Sequence, residues 1–158
     1  MMSSMAESRS HNAMYVILVH HADAVTGVVD ATRPLSELGR RQAASVSSRV
    51  ATHGVRPAAV WHSGKLRARE TAEIYWHAVN PSATFGAQRG LQPDDDPENL
   101  AEVLGAESDD LMVVSHYPLL PGLLTELIGA DAAFPQHGAV GLERVDGKWV
   151  ERWREATT

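Results

Sequence analysis

The chain contains no cysteine. Disulfides, thiolate nucleophiles, iron–sulfur clusters and thiolate zinc sites are therefore excluded, and a reducing, cytoplasmic setting is expected. Positive charge is also scarce: 14 Lys and Arg stand against 20 Asp and Glu, a formal charge of −6. That sign does not suit a phosphate-backbone binder, so no nucleic-acid partner is expected. No apolar run approaches the ~18–20 residues of a membrane span, and no membrane partner is expected either. Residues 1–13, MMSSMAESRSHNA, lack the apolar stretch and cleavage pattern of a signal peptide. They read as a disordered extension ahead of a single domain over 14–158, with Met14 a natural start.

What remains is an ordinary globular composition with one excess. A chain of 158 residues has room for one full-sized domain, and 44% of them are hydrophobic. At this length roughly 70% of the unfolded surface can be buried, so the fold needs no covalent staples. Eight histidines are many for this length. They are the first functional signal.

The chain alternates apolar strand patterns with helical ones. Tyr15 to Val19 (YVILV) is a continuous apolar run, as expected of a strand buried on both faces. Ser36 is a good N-cap for a helix carrying Leu38, Val46 and Val50 and stopping at Gly54. Ala58 to Trp61 reads as a second strand, and Ser63 as the cap of a helix ending near Val79. A weak strand, 83–87, precedes a loop rich in Pro and Asp. Asp96-Pro97-Glu98 then starts a helix that stops at Gly105. Leu111 to Ser115 is a fourth strand. It leads into a helix expected from Pro118, with Leu120, Leu124 and Ile128 on one face. Asp146-Gly147 is a two-residue hairpin signal between strands 140–145 and 148–153. The predicted fold class is a three-layer α/β/α domain with a mainly parallel sheet and an antiparallel edge hairpin.

Open α/β sheets bind ligands beyond the carboxyl ends of their strands. Three strands here exit into His20-His21-Ala22-Asp23, His62-Ser63-Gly64-Lys65-Leu66-Arg67 and Ser115-His116-Tyr117-Pro118. A lone histidine is more often structural than functional. Histidines at three strand exits, two of them leading into helix N-termini, point instead to an anion pocket, most simply a phosphate pocket.

The run VHHA, then RPLSELGRRQA, HSGKLRARETAE and VVSHYPLL, resembles the histidine phosphatase (phosphoglycerate mutase-like) superfamily over about residues 14–153. The short chain without an inserted cap is similar to the small SixA-type phosphohistidine phosphatase branch. The resemblance implies His21 as the phosphate-accepting nucleophile, Arg67 as a phosphate ligand and His116 as the second pocket histidine. It also brings Arg33 toward the pocket mouth, with a solvated or helix-capping role as the alternative. Ser63 and His62 sit beside the pocket, His53 and His77 read as structural or exposed, and His137 approaches from the final hairpin. No cofactor and no metal are implied. The expected substrate is phosphohistidine on a protein of the histidine-phosphotransfer kind, or else a small phosphorylated metabolite.

Three departures from the family pattern matter. The family motif is Arg-His-Gly, but here it reads His20-His21-Ala22. If His20 inherits the phosphate-binding role it is expected to act as imidazolium, and Ala22 to cost backbone freedom. The family's acidic proton donor aligns with Gly90, leaving Asp94 or Asp95 as candidate acids. Weak acid catalysis matters least for phosphohistidine, whose imidazole departs easily. Two other readings stay open. One is a pocket that binds phosphorylated ligands without turnover. The other is a metal-dependent hydrolase using His20, His21 and Asp23 with His62 and His116.

Overall fold

A computed structural model describes residues 13–129 and 131–158. Apart from Ala13, the expected N-terminal extension lies outside the described residues, and Ala13 itself is buried. The elements follow in the order β1 (Met14–His20), α1 (Glu37–Ala51), β2 (Ala59–His62), α2 (Leu66–Val79), β3 (Thr84–Ala87), α3 (Pro97–Ala106), β4 (Leu111–Ser115), α4 (Leu119–Ile128), β5 (Ala139–Val145) and β6 (Lys148–Glu155). A short 3₁₀ turn, Asp30–Thr32, interrupts the segment between β1 and α1.

The six strands form one sheet in the order β3-β2-β4-β1-β5-β6. β1, β2, β3 and β4 run parallel, and β5 and β6 add an antiparallel edge. The continuous apolar run is buried on both faces because helices cover both. Met14, Val16 and Leu18 pack with Leu100 and Leu104 of α3 and Leu120 and Leu124 of α4. Ile17 and Val19 point the other way, into Val46 and Val50 of α1 and Ala68 and Ala72 of α2. Alternate residues of an extended strand face opposite sides, so one run serves two cores. The expected three-layer architecture holds.

Local signals worked where they rested on a specific bond. Ser36 caps α1 by accepting the Gly39 N–H. At the hairpin, Asp146 (φ 52°) and Gly147 (φ 77°) both take the left-handed backbone of a tight two-residue turn. Gly39 is required for a different reason: a Cβ there would lie 2.0 Å from the Asp23 carbonyl oxygen. The start of α1 can thus close onto the β1 exit. Two boundaries differ from expectation. The cap of α2 is Lys65, not Ser63, and Pro118 precedes the first turn of α4 through a cis peptide bond with Tyr117.

Candidate active site

The parallel register sets the site. His20 pairs with Ser115 and His62 with Val114, so β1, β4 and β2 deliver their exits to one edge of the sheet. There His21, His116 and Arg67 come together. The rings of His21 and His116 lie 5.0 Å apart, and those of His20 and His21 4.4 Å apart. Arg67, buried in the first turn of α2, acts electrostatically on all three imidazoles.

His21 is held in a defined tautomer. Its backbone N–H donates to the Ser115 carbonyl at 3.1 Å. Its Nδ1 lies 2.7 Å from the Ala22 carbonyl oxygen, which can only accept, so Nδ1 carries the proton and Nε2 keeps its lone pair. Burial, with help from the Arg67 charge, lowers its pKa to about 4 despite the opposing effect of that carbonyl. The ring is thus neutral and nucleophilic around pH 7.

His116 is only 1% exposed, and burial followed by the His21 and Arg67 charges lowers its pKa to about 3. Its Nε2 shares a hydrogen with Ser63 Oγ at 2.7 Å, and Ser63 Oγ also accepts from the Lys65 N–H at 3.3 Å. His116 is therefore a neutral ring around pH 7, because burial and the neighbouring positive charges outweigh the opposing charge of Asp30. Apart from the Tyr75 hydroxyl in the core, the buried side-chain polar atoms without a partner among the described residues are Arg67 Nε and His116 Nδ1. Orphaned buried donors are costly, and an anion bound here would repay Arg67 directly.

His20 departs most from expectation. Its Nδ1 accepts the His137 backbone N–H at 2.7 Å, so this nitrogen cannot carry a proton and the neutral ring keeps its hydrogen on Nε2. Burial, then the neighbouring His21 and His137, lowers its pKa to about 2. The expected imidazolium is corrected to a neutral ring with a single N–H. His20 also stacks on His137 (ring centroids 4.9 Å apart, 9° between planes) and packs against Tyr117. Ala22 brings no strain: among the described non-glycine residues only His137 (φ 58°) and Asp146 have left-handed backbone. Its N–H donates to Thr71 Oγ1.

The metal-ligand set weighed from sequence is not assembled. Asp23 Oδ2 accepts from Ser36 Oγ at 2.6 Å, and His62 Nδ1 accepts the Gly64 N–H while its ring packs against Phe85. A different trio, His20, His21 and His137, places one ring nitrogen each within 4.8 Å of the others. His137 Nδ1 donates to the His21 carbonyl oxygen, which frees its Nε2 as it does for His21. His20 does not match them, because its remaining nitrogen bears the proton, so the trio offers two lone pairs and one N–H.

Arg33 lies beside the site. It donates to the Val25 carbonyl and to Asp30, and its charge is felt at His21 and Arg67. The candidate acids are placed otherwise. Asp95 accepts the Gln92 N–H within its own loop, and Asp94 is exposed. That loop touches the site through Gln92 Nε2, which donates to the Ser63 carbonyl, and through the Leu91 carbonyl, which accepts from Ser115 Oγ. Two contributors were missed in the sequence. Asp30 lies on the 3₁₀ turn and contacts Arg67, Lys65 and Arg33, and Tyr117 walls the His20 side. No local pattern marks Asp30, because only the path of the β1–α1 segment brings it across.

Comparison with known proteins agrees with this fold. Residues 17–91 match the model of the histidine phosphatase superfamily (branch 1). The protein histidine phosphatase SixA, solved with tungstate, superposes with a TM-score of 0.82 at 24% identity, covering 90% of this chain and 97% of that one. The fold is that of the histidine phosphatase superfamily. The SixA protein of Agrobacterium tumefaciens superposes at 0.80 with 22% identity over 90% of this chain and 97% of its own. A phosphoglycerate mutase from Plasmodium falciparum superposes at 0.68 with 18% identity over 90% of each chain. No curated protein matches the sequence. Against the histidine phosphatase motif, the His20 and Ala22 departures fall inside the matched segment. No helix among the described residues is long and apolar enough to cross a membrane.

Proposed function

We propose that this chain is a phosphatase that forms a covalent phosphohistidine on His21, with protein phosphohistidine as its preferred substrate class. The observation that carries this reading is the tautomer of His21. A neutral imidazole with Nδ1–H spent on Ala22 presents Nε2 within the field of an incompletely satisfied, buried Arg67. Phosphoryl transfer asks for an in-line nucleophile and positive charge around the equatorial oxygens, and little else from the protein. Nε2 attacks phosphorus, the leaving group departs, and water then hydrolyses the phosphoramidate to free the ring. Arg67 holds the phosphoryl oxygens, while His116 and the Nε2–H of His20 act as neutral donors. Ser63 orients His116 and Arg33 guards the mouth.

The pocket has one cation fewer than the Arg-His-Gly pattern supplies, because His20 is neutral. Less positive charge favours substrates whose leaving group departs with little help, and that supports phosphohistidine over alkyl phosphates. A phosphorylated protein of the histidine-phosphotransfer kind is the partner this implies, with small phosphorylated metabolites second. The domain carrying the activity is residues 14–158, and the reaction uses no metal or cofactor. The same missing cation favours one competing reading, a pocket that binds phosphate without turnover.

A panel of phosphohistidine protein, p-nitrophenyl phosphate and sugar phosphates, assayed without added metal and with or without vanadate, separates the readings. Vanadate-sensitive turnover fastest on phosphohistidine is the expected result. Anion binding without turnover on any donor supports the competing reading.

A further inference from the structure

The site as described lacks a proton donor for the leaving group. Asp94 and Asp95 belong to a loop that meets the site through Gln92, on the Ser63 carbonyl, and Leu91, on Ser115, and Asp95 is turned back onto the Gln92 N–H. One carboxylate does touch the cations of the pocket. Asp30 Oδ2 lies 2.6 Å from Lys65 Nζ, and Oδ1 lies 3.3 Å from Arg33 and 3.4 Å from Arg67. The Asp30 carbonyl also accepts from Arg67 at 2.9 Å, which ties the turn to the guanidinium. The side chain is also 57% exposed, so it stands at the open side of the cluster. Asp30 is an internal anion resting on the cations that a phosphoryl group would use.

We propose that Asp30 is the proton donor to the leaving group, held ionised by Lys65, Arg33 and Arg67 until the phosphoryl group takes those cations. This rests on the reading of His21 as nucleophile. In the empty pocket the Lys65 hydrogen bond above all holds Asp30 at about 2, against desolvation, with Arg67 and Arg33 adding to the lowering. A bound phosphoryl group engages these cations and places its own negative oxygens beside the carboxylate. Both changes favour the protonated form. Asp30 then takes up a proton and faces the departing atom from the mouth side.

The first step balances as follows. The Nε2 pair of His21 forms the N–P bond while the bond from phosphorus to the leaving oxygen or nitrogen breaks. That bond's electrons stay on the departing atom, which receives the Asp30 proton. In the second step a water oxygen forms a bond to phosphorus and gives a proton to the Asp30 carboxylate, while the N–P bond breaks and its pair returns to Nε2. Phosphate leaves, and Asp30 gives up its proton as the cations close on it again.

Two measurements on the full chain test this. Calorimetric titration with tungstate, in buffers of differing ionisation enthalpy at neutral pH, should show about one proton taken up per ion by the wild type. Asp30→Asn should still bind tungstate, with no such uptake. Uptake that persists in Asp30→Asn would assign the proton to His116 or another pocket histidine and overturn the proposal. In an aryl phosphate series, Asp30→Asn should slow phenyl phosphate by on the order of 10²–10⁴-fold. Release of 2,4-dinitrophenolate in the first turnover, which needs no proton, should be nearly unchanged, because only the later dephosphorylation needs Asp30 as a base. Equal loss in first-turnover release of both leaving groups would reduce Asp30 to a holder of Lys65 and Arg67 and overturn the proposal. His21→Ala serves as the separate control. Turnover of 2,4-dinitrophenyl phosphate surviving there sinks the nucleophile reading, while the tungstate result still reports on Asp30.

Discussion

The backbone N–H of His137 donates to Nδ1 of His20 across 2.7 Å, and this bond makes His20 a neutral ring. It joins the exit of β1 to the segment leading into β5, 117 residues away in sequence. His137 pays for the contact with a left-handed backbone, rare for a residue with a side chain. Its own ring returns a bond to the His21 carbonyl, so the two histidines brace the nucleophile's backbone from one side.

His20→Phe keeps the stacked ring and removes the acceptor. The His137 N–H is then left unpaired in a mostly buried place, at a cost of about 1–3 kcal/mol. Chemical denaturation at neutral pH should show that loss. A variant as stable as wild type would mean that the N–H finds water or another acceptor.

Burial of neutral histidines also sets a pH dependence of stability. His20, His21 and His116 stand at about 2, 4 and 3 in the folded chain against 6.5 in its absence. Between those values the unfolded chain binds more protons, so stability rises with pH in that window. Their contribution is complete above about pH 6.5 and drains away as the pH falls toward the folded values. Unfolding midpoints measured from pH 7 down to pH 4 should decline, more gently in His20→Phe. A flat profile would mean that the rings are charged in the folded state.

Arg67→Ala removes a buried guanidinium whose Nε awaits a partner. Charge-assisted hydrogen bonds of this kind contribute about 1.5–3 kcal/mol, so tungstate or vanadate affinity should fall about tenfold to a hundredfold. Turnover should fall with it. Unchanged oxyanion affinity would place the phosphate elsewhere.

The fold was legible because its signals are local and redundant. The YVILV run, the Ser36 cap and the Asp146-Gly147 turn each report a single physical requirement, and the structure meets them all. The cluster of His21, His116 and Arg67 was legible because parallel strands must open their carboxyl ends on one side. The charge state of His20 was not. It depends on which backbone N–H approaches its ring, and that N–H comes from His137 at the far end of the chain. Asp30 was hidden for the same reason. Nothing in VVDATRP announces that its turn will cross the mouth of the pocket and meet Lys65 and Arg67. Ser63 precedes α2 as a helix cap would, yet its hydroxyl turns to His116.

The central claim is that His21 carries the phosphoryl group. Its most direct test is rapid acid-free quenching of the wild type during turnover of a phosphodonor, followed by mass-spectrometric location of the acid-labile, alkali-stable phosphate. The account predicts phosphate on His21 alone, none in His21→Ala, and a rate loss in that variant of several orders of magnitude, on the order of 4–8 kcal/mol of barrier. Phosphate trapped on another residue, or His21→Ala keeping more than about a tenth of wild-type turnover, would contradict it.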